Sequence, residues 1–190
     1  MSEKISTSVD YGAAASVAAH SAELLGQRIQ HVYLVECYGA DGALKWSDQF
    51  HNLVTTVGLN KYLDATLKTG LAAPAWYVGL ITGPGAGNVY ALADTMNLGH
   101  GGWTEAVPYS NVTRPAWTPG SIAAGAVDNS ASKAIFTINA GATVAGCFMV
   151  DNSTKSGSTG VLLGEGNFTA GDRVVQNGDT LNVTIVASQS

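Results

Sequence analysis

The sequence predicts a mainly β protein, an antiparallel β-sandwich or barrel with one packed helix (about 55–69) and an N-terminal arm. Three observations carry this. Short β-branched and aromatic runs recur along the C-terminal third, small polar turns of Asn, Gly, Ser and Asp separate them, and charged residues are scarce throughout, at 12 % of the chain. A chain of 190 residues suffices for one sizeable core, so a single β-rich domain spanning 28–190 is expected, preceded by residues 1–27 as an arm that is in part helical.

Taken in order, the arm contains Ala13-Ala-Ala-Ser-Val-Ala-Ala19 and Ser21-Ala-Glu-Leu-Leu-Gly26, which are helix-compatible but only weakly amphipathic. Its thin apolar surface suggests that a neighbouring subunit holds it, with Ala13, Val17 and Leu24 as contact residues. Arg28–Tyr38 and Leu44–Phe50 flank Gly39-Ala-Asp-Gly42, a hairpin signal because Asp-Gly tolerates the positive φ of a tight turn. Both parities of the first arm carry apolar side chains, which predicts burial on much of both faces. Residues 55–70 form the clearest helix, capped by Thr55 or Thr56 and stopped at Gly70, with Leu59, Tyr62, Leu63 and Leu67 spaced to pack on the sheet. Trp76–Ile81 resumes strand texture.

A long region, about 82–130, then combines glycines and prolines with Trp103, Tyr109 and Trp117. Its length and irregularity mark it as an outward or intersubunit face, and the three aromatics as candidate protein or ligand contacts beside a competing role in the core. Beyond it, 133–138, 143–150, 161–164 and 180–186 read as consecutive antiparallel strands with Phe136, Ile138, Val144, Phe148, Val150, Val183 and Ile185 inside.

Chemistry is hard to find in these patterns. Gly83-Pro-Gly-Ala-Gly87 lacks the Lys-Ser/Thr of a phosphate loop, and Pro84 removes a backbone donor, so it reads as a turn. His100-Gly-Gly102 has no nucleophile elbow to accompany it. His20, His31, His51 and His100 lack zinc-site spacing. Asp64, Asp94 and Glu105 could be brought together by folding, but their spacing gives no reason to expect a catalytic pair, and Asp94 serves equally as a turn or helix cap. The expectation is therefore a protein without catalytic residues, metal or cofactor. A net charge of −5 disfavours nucleic acid, no run is long and apolar enough to span a membrane, and the N-terminus does not read as a secretory leader, so synthesis in a cytoplasm is expected. Cys37 and Cys147, each in a predicted strand, are expected as buried free thiols.

The succession His51-Asn-Leu-Val-Thr-Thr-Val-Gly-Leu-Asn-Lys-Tyr-Leu-Asp64, Trp76-Tyr-Val-Gly-Leu80, Ala93-Asp-Thr95, Gly102-Trp-Thr-Glu105, Arg114-Pro-Ala-Trp117, Asn129-Ser-Ala-Ser-Lys133 and Gly178-Asp-Thr-Leu-Asn-Val183 resembles small β-rich virion structural proteins of tailed bacteriophages. The likeness covers roughly residues 45–187. It implies a non-enzymatic virion component made in the host cytoplasm, here expected to be a capsid decoration, or cement, protein. Its partners would be the major capsid protein and copies of itself, as a trimer, since low charge and a long aromatic middle leave surface that a monomer solvates poorly. The alternative is a tail-fibre or head-fibre module that binds host glycan through the aromatic loops.

Overall fold

The computed structural model describes residues 29–68, 70–97 and 102–189. The expected arm, with Ala13, Val17 and Leu24, lies outside the described residues. Among the described residues, twelve strands form two antiparallel sheets with one α-helix, the β-sandwich class expected from the sequence.

The first sheet is built on β1 (Ile29–Tyr38), flanked by β2 (Leu44–His51) and by β12 (Thr180–Gln189). The far edge of β12 carries two short strands end to end, β7 (Ala126–Asp128) and β8 (Ala134–Thr137). The β1–β2 hairpin forms as expected: Gly42 takes φ +78° and its N–H donates to Gly39 O at 2.8 Å. The expectation of two buried faces on β1 does not hold. His31, Tyr33, Val35 and Cys37 are buried, whereas Leu34 is exposed and Val32, Glu36 and Tyr38 are partly so, because nothing among the described residues layers over that outer face.

The second sheet is centred on β9 (Ala142–Val150). One edge pairs with β10 (Leu162–Asn167) and β11 (Arg173–Val175), the other with β4 (Trp76–Thr82). β3 (Leu53–Val54) extends the sheet beyond β10, and β5 (Glu105–Ala106) and β6 (Ala116–Trp117) pair with the free edge of β4. The C-terminal third is thus strands throughout, and all seven residues expected inside are buried. The link 138–141 does not turn a hairpin but crosses between sheets, since β8 belongs to the first and β9 to the second.

Between the sheets lies a core including Tyr33, Val35, Phe50, Val78, Leu80, Phe136, Met149, Leu163, Leu181 and Ile185. Cys37 and Cys147 are buried free thiols, as expected, and burial pushes the Cys37 thiol up to about 11. β9 is buried on both faces because the second sheet has a further apolar layer outside it. There Ile81, Ala145, Phe148, Val150 and Leu162 meet Met96 and Trp103 from the middle of the chain. Phe148 fits this layer because Gly79 beneath it has no side chain; a Cβ there would stand 2.1 Å from the ring.

The helix, α1 (Thr56–Leu67), starts at Thr55, whose hydroxyl accepts from Gly58 N and donates to Leu162 O at 2.5 Å. It is held close by Gly58, where a Cβ would collide with the Leu163 backbone, and by Tyr62, whose ring packs near Trp76 and whose hydroxyl is 3.0 Å from His31 Nε2. The leucines expected to make this contact do not: Leu59, Leu63 and Leu67 are 40, 47 and 77 % exposed. The small side of the helix faces the sheet, and the leucine ridge, spaced i, i+4, i+8, faces away.

Candidate functional site

The aromatic middle differs most from expectation. Trp103 is 4 % and Tyr109 1 % exposed, both covered by the chain itself. Trp103 stacks on Phe148 with ring centroids 4.8 Å apart, and Tyr109 meets Phe136 edge-on at 4.9 Å. Trp117 is half-buried at the edge of β4, its indole N–H donating to Ile185 O at 3.3 Å. The region 82–130 is therefore only in part an outward face, because its aromatics complete the core and coat the second sheet. The three rings do not converge on a common groove.

What this layer encloses is polar. Glu165 sits in β10 with its whole side chain buried, and its Oε2 accepts from Trp103 Nε1 at 2.5 Å. Its other oxygen faces the Asp94 carboxyl and has no donor of its own. Burial first, then the neighbouring Asp94 carboxyl, raise Glu165 to about 8, which favours its uncharged acid form at neutral pH. Asp94 in turn caps its own turn by accepting from Ala91 N at 2.8 Å. Beside this pair, Tyr90 OH donates to Asn167 Oδ1, while Asn167 Nδ2 donates to Gly85 O at 2.9 Å. A cleft of ≈ 220 Å³ lined by Gly85, Ala145, Asn167, Phe168 and Asp172 opens next to them.

A second polar knot fixes the loops at the other end of the layer. The Arg114 guanidinium is fully buried, grips Glu105 through two nitrogens at 2.9 and 2.8 Å, and donates to Asn152 O and Gly157 O. It also lies over the Phe148 ring, 5.1 Å from the centroid. Lys155 reaches back to Tyr109 O and Asn111 O. These contacts tie loop 151–157 to 105–114.

The arrangement joins Asp94 to Glu165, a residue the sequence reading did not single out, and leaves Asp64 and Glu105 elsewhere, each in its own ion pair. The available signal was a lone carboxylate inside Leu162-Leu-Gly-Glu-Gly166, a strand otherwise apolar or glycine. Chemically, the buried Glu165 carboxyl, gripped by Trp103, clamps the covering layer to β10. Of the histidines within the described residues, His31 is buried and His51 exposed. Burial lowers His31 to about 4, so the neutral ring accepts from Asn52 and donates to Tyr62. Among the described residues no group of three or more His, Cys, Asp or Glu could hold a metal ion, and no helix is long and apolar enough to cross a membrane.

The surface offers a different kind of site. Large aliphatic side chains stand in solvent at the β8 edge, with Val112 93 % and Ile135 45 % exposed, and in the loop before β7, with Ile122 80 % exposed. Asn111 fastens the Val112 loop to β8 by donating to Ile135 O and accepting from Thr137 N. Comparison of the sequence with protein-family models and with curated proteins gives no match.

Proposed function

We propose that this protein is a non-enzymatic virion structural protein, a capsid decoration protein that binds the outer surface of a phage head and stabilises it. The observation that carries this is the pairing of an internally consumed aromatic set with aliphatic side chains held outward on a low-charge surface. Val112 and Ile135 are presented by a braced edge rather than by a cleft, with Ile122 exposed in the loop before β7, which suits docking on a broad protein surface. The resemblance of residues 45–187 to phage virion proteins supplies the biological setting. Its partners are then the major capsid protein and copies of itself, as a trimer, and it is made in the host cytoplasm before joining the virion. The glycan-binding alternative draws no support from Trp103 and Tyr109, whose rings are not presented.

The test is immunogold labelling of gradient-purified virions from cells that carry the gene. Label distributed over the head is expected. Label confined to the tail, or absent from particles, overturns the decoration role. A Val112→Asp/Ile122→Asp variant that folds normally should occupy heads at least tenfold less, and equal occupancy would remove this edge from the contact.

A further inference from the structure

The leucine ridge of α1 is an apolar face with no cover among the described residues. Leu59, Leu63 and Leu67 lie on successive turns, and Leu92, 60 % exposed, flanks the start of the helix, where Thr56 N donates to its carbonyl. We propose that this ridge is the seat of the protein's own N-terminal segment, residues 13–25, docked in cis. The inference stands independently of the virion role.

Three observations select this occupant. The first is where the segment ends. Residues 1–28 lead into β1 at Ile29, and two residues later His31 Nε2 lies 3.0 Å from the hydroxyl of Tyr62 on α1. Three residues separate Leu25 from Ile29, and the four Cα steps between them span up to about 14 Å, so the segment emerges at the end of β1 that packs beside the helix.

The second is pattern. Ala14, Val17, Ala18, Ser21 and Leu25 recur at i, i+3, i+4, i+7 and i+11, one helical face whose small members allow close approach to a leucine ridge.

The third is size. The ridge offers roughly 300–500 Å² of apolar surface, well below the ~800 Å² per partner of a stable complex between free chains. A tether of a few residues raises the local concentration of the segment to the order of millimolar, so a contact too small to hold a second copy suffices in cis. On this proposal the segment lies in cis, where sequence texture alone suggests a neighbouring subunit.

The experiment places p-benzoylphenylalanine at position 63 of the full chain and irradiates an equal mixture of isotopically heavy and light protein. The expected product is monomer-sized, with position 63 joined to a peptide within 13–25 of the same isotopic label, in a yield unchanged over a hundredfold dilution. Mixed heavy–light products would assign the ridge to a neighbouring copy, and products lacking residues 13–25 would leave the segment unseated; either overturns the proposal. Independently, Leu63→Glu should raise the rate of limited proteolysis within residues 1–28 about tenfold, and an unchanged rate overturns it as well.

Discussion

Glu165→Gln should make the protein more stable at alkaline pH while leaving it nearly unchanged at acid pH. Below about pH 4.5 the Glu165 carboxyl is protonated in both the folded and the unfolded chain, so it adds no pH dependence there. Between about 4.5 and 8 the folded chain retains a proton that the unfolded chain has released, and stability falls as pH rises. At about 1.4 kcal/mol per unit, moderated by relaxation around the site, the loss from pH 5 to pH 8 is about 1–3 kcal/mol. Glutamine reproduces the uncharged acid, keeps an oxygen for Trp103 Nε1, and does not titrate. His31 has the opposite slope: it stays neutral in the fold down to about 4, so it costs stability as pH drops below its ordinary 6.5. That contribution is common to both proteins and cancels in their difference. Urea unfolding of wild type and variant at pH 5, 6.5 and 8 should therefore give curves that diverge by about 1–3 kcal/mol toward pH 8. Parallel curves, or a variant less stable at pH 8, would refute a proton held by Glu165 in the fold.

Arg114→Leu should destabilise by about 3–5 kcal/mol in chemical denaturation, because it leaves the Glu105 carboxylate enclosed without its cation, and Glu105→Gln added to it should recover part of the loss. Gly79→Ala should cost about 1–3 kcal/mol by driving a methyl into the Phe148 ring, and Phe148→Leu in the same chain should relieve it, as read from the shift in melting temperature. Sedimentation equilibrium at micromolar concentration is expected to give a trimer. A monomer there would confine self-association to the assembled particle.

The parts of the fold legible in the sequence are those whose signals are local. Alternation in 180–186, the unbroken apolar run 143–150 and Asp41-Gly42 each report their own geometry within a few residues. The run 143–150 is apolar throughout because β9 has a layer on each side, which periodicity registers without saying what the second layer is. That layer was not legible. Met96 and Trp103 reach Phe148 over some 45 residues or more of chain, and the short strands β5, β6 and β7 contain too few residues to show a period. The direction of α1 was misread for a related reason: Leu59, Leu63 and Leu67 define an apolar face, but close contact with Leu163 needs the bare backbone of Gly58. Glu165 escaped because a carboxylate in an apolar strand gains meaning only once Asp94 and Trp103 are beside it.

The placement of β12 has a consequence for how the molecule is made. This strand lies between β1 on one side and β7 and β8 on the other, so β1 meets its main neighbour some 150 residues later in the chain. A nascent chain halted before residue 180 has the components of the second sheet in hand, whereas its first sheet is split, with β1 and β2 on one side and β7 and β8 on the other. Pairings of such long range are slow to form, and meanwhile the inner face of β1, with Tyr33, Val35 and Cys37, has no sheet to complete. Completion of the sandwich therefore waits until β12 has been made, and fragments that stop short of it are left with open strand edges for proteases and chaperones to recognise.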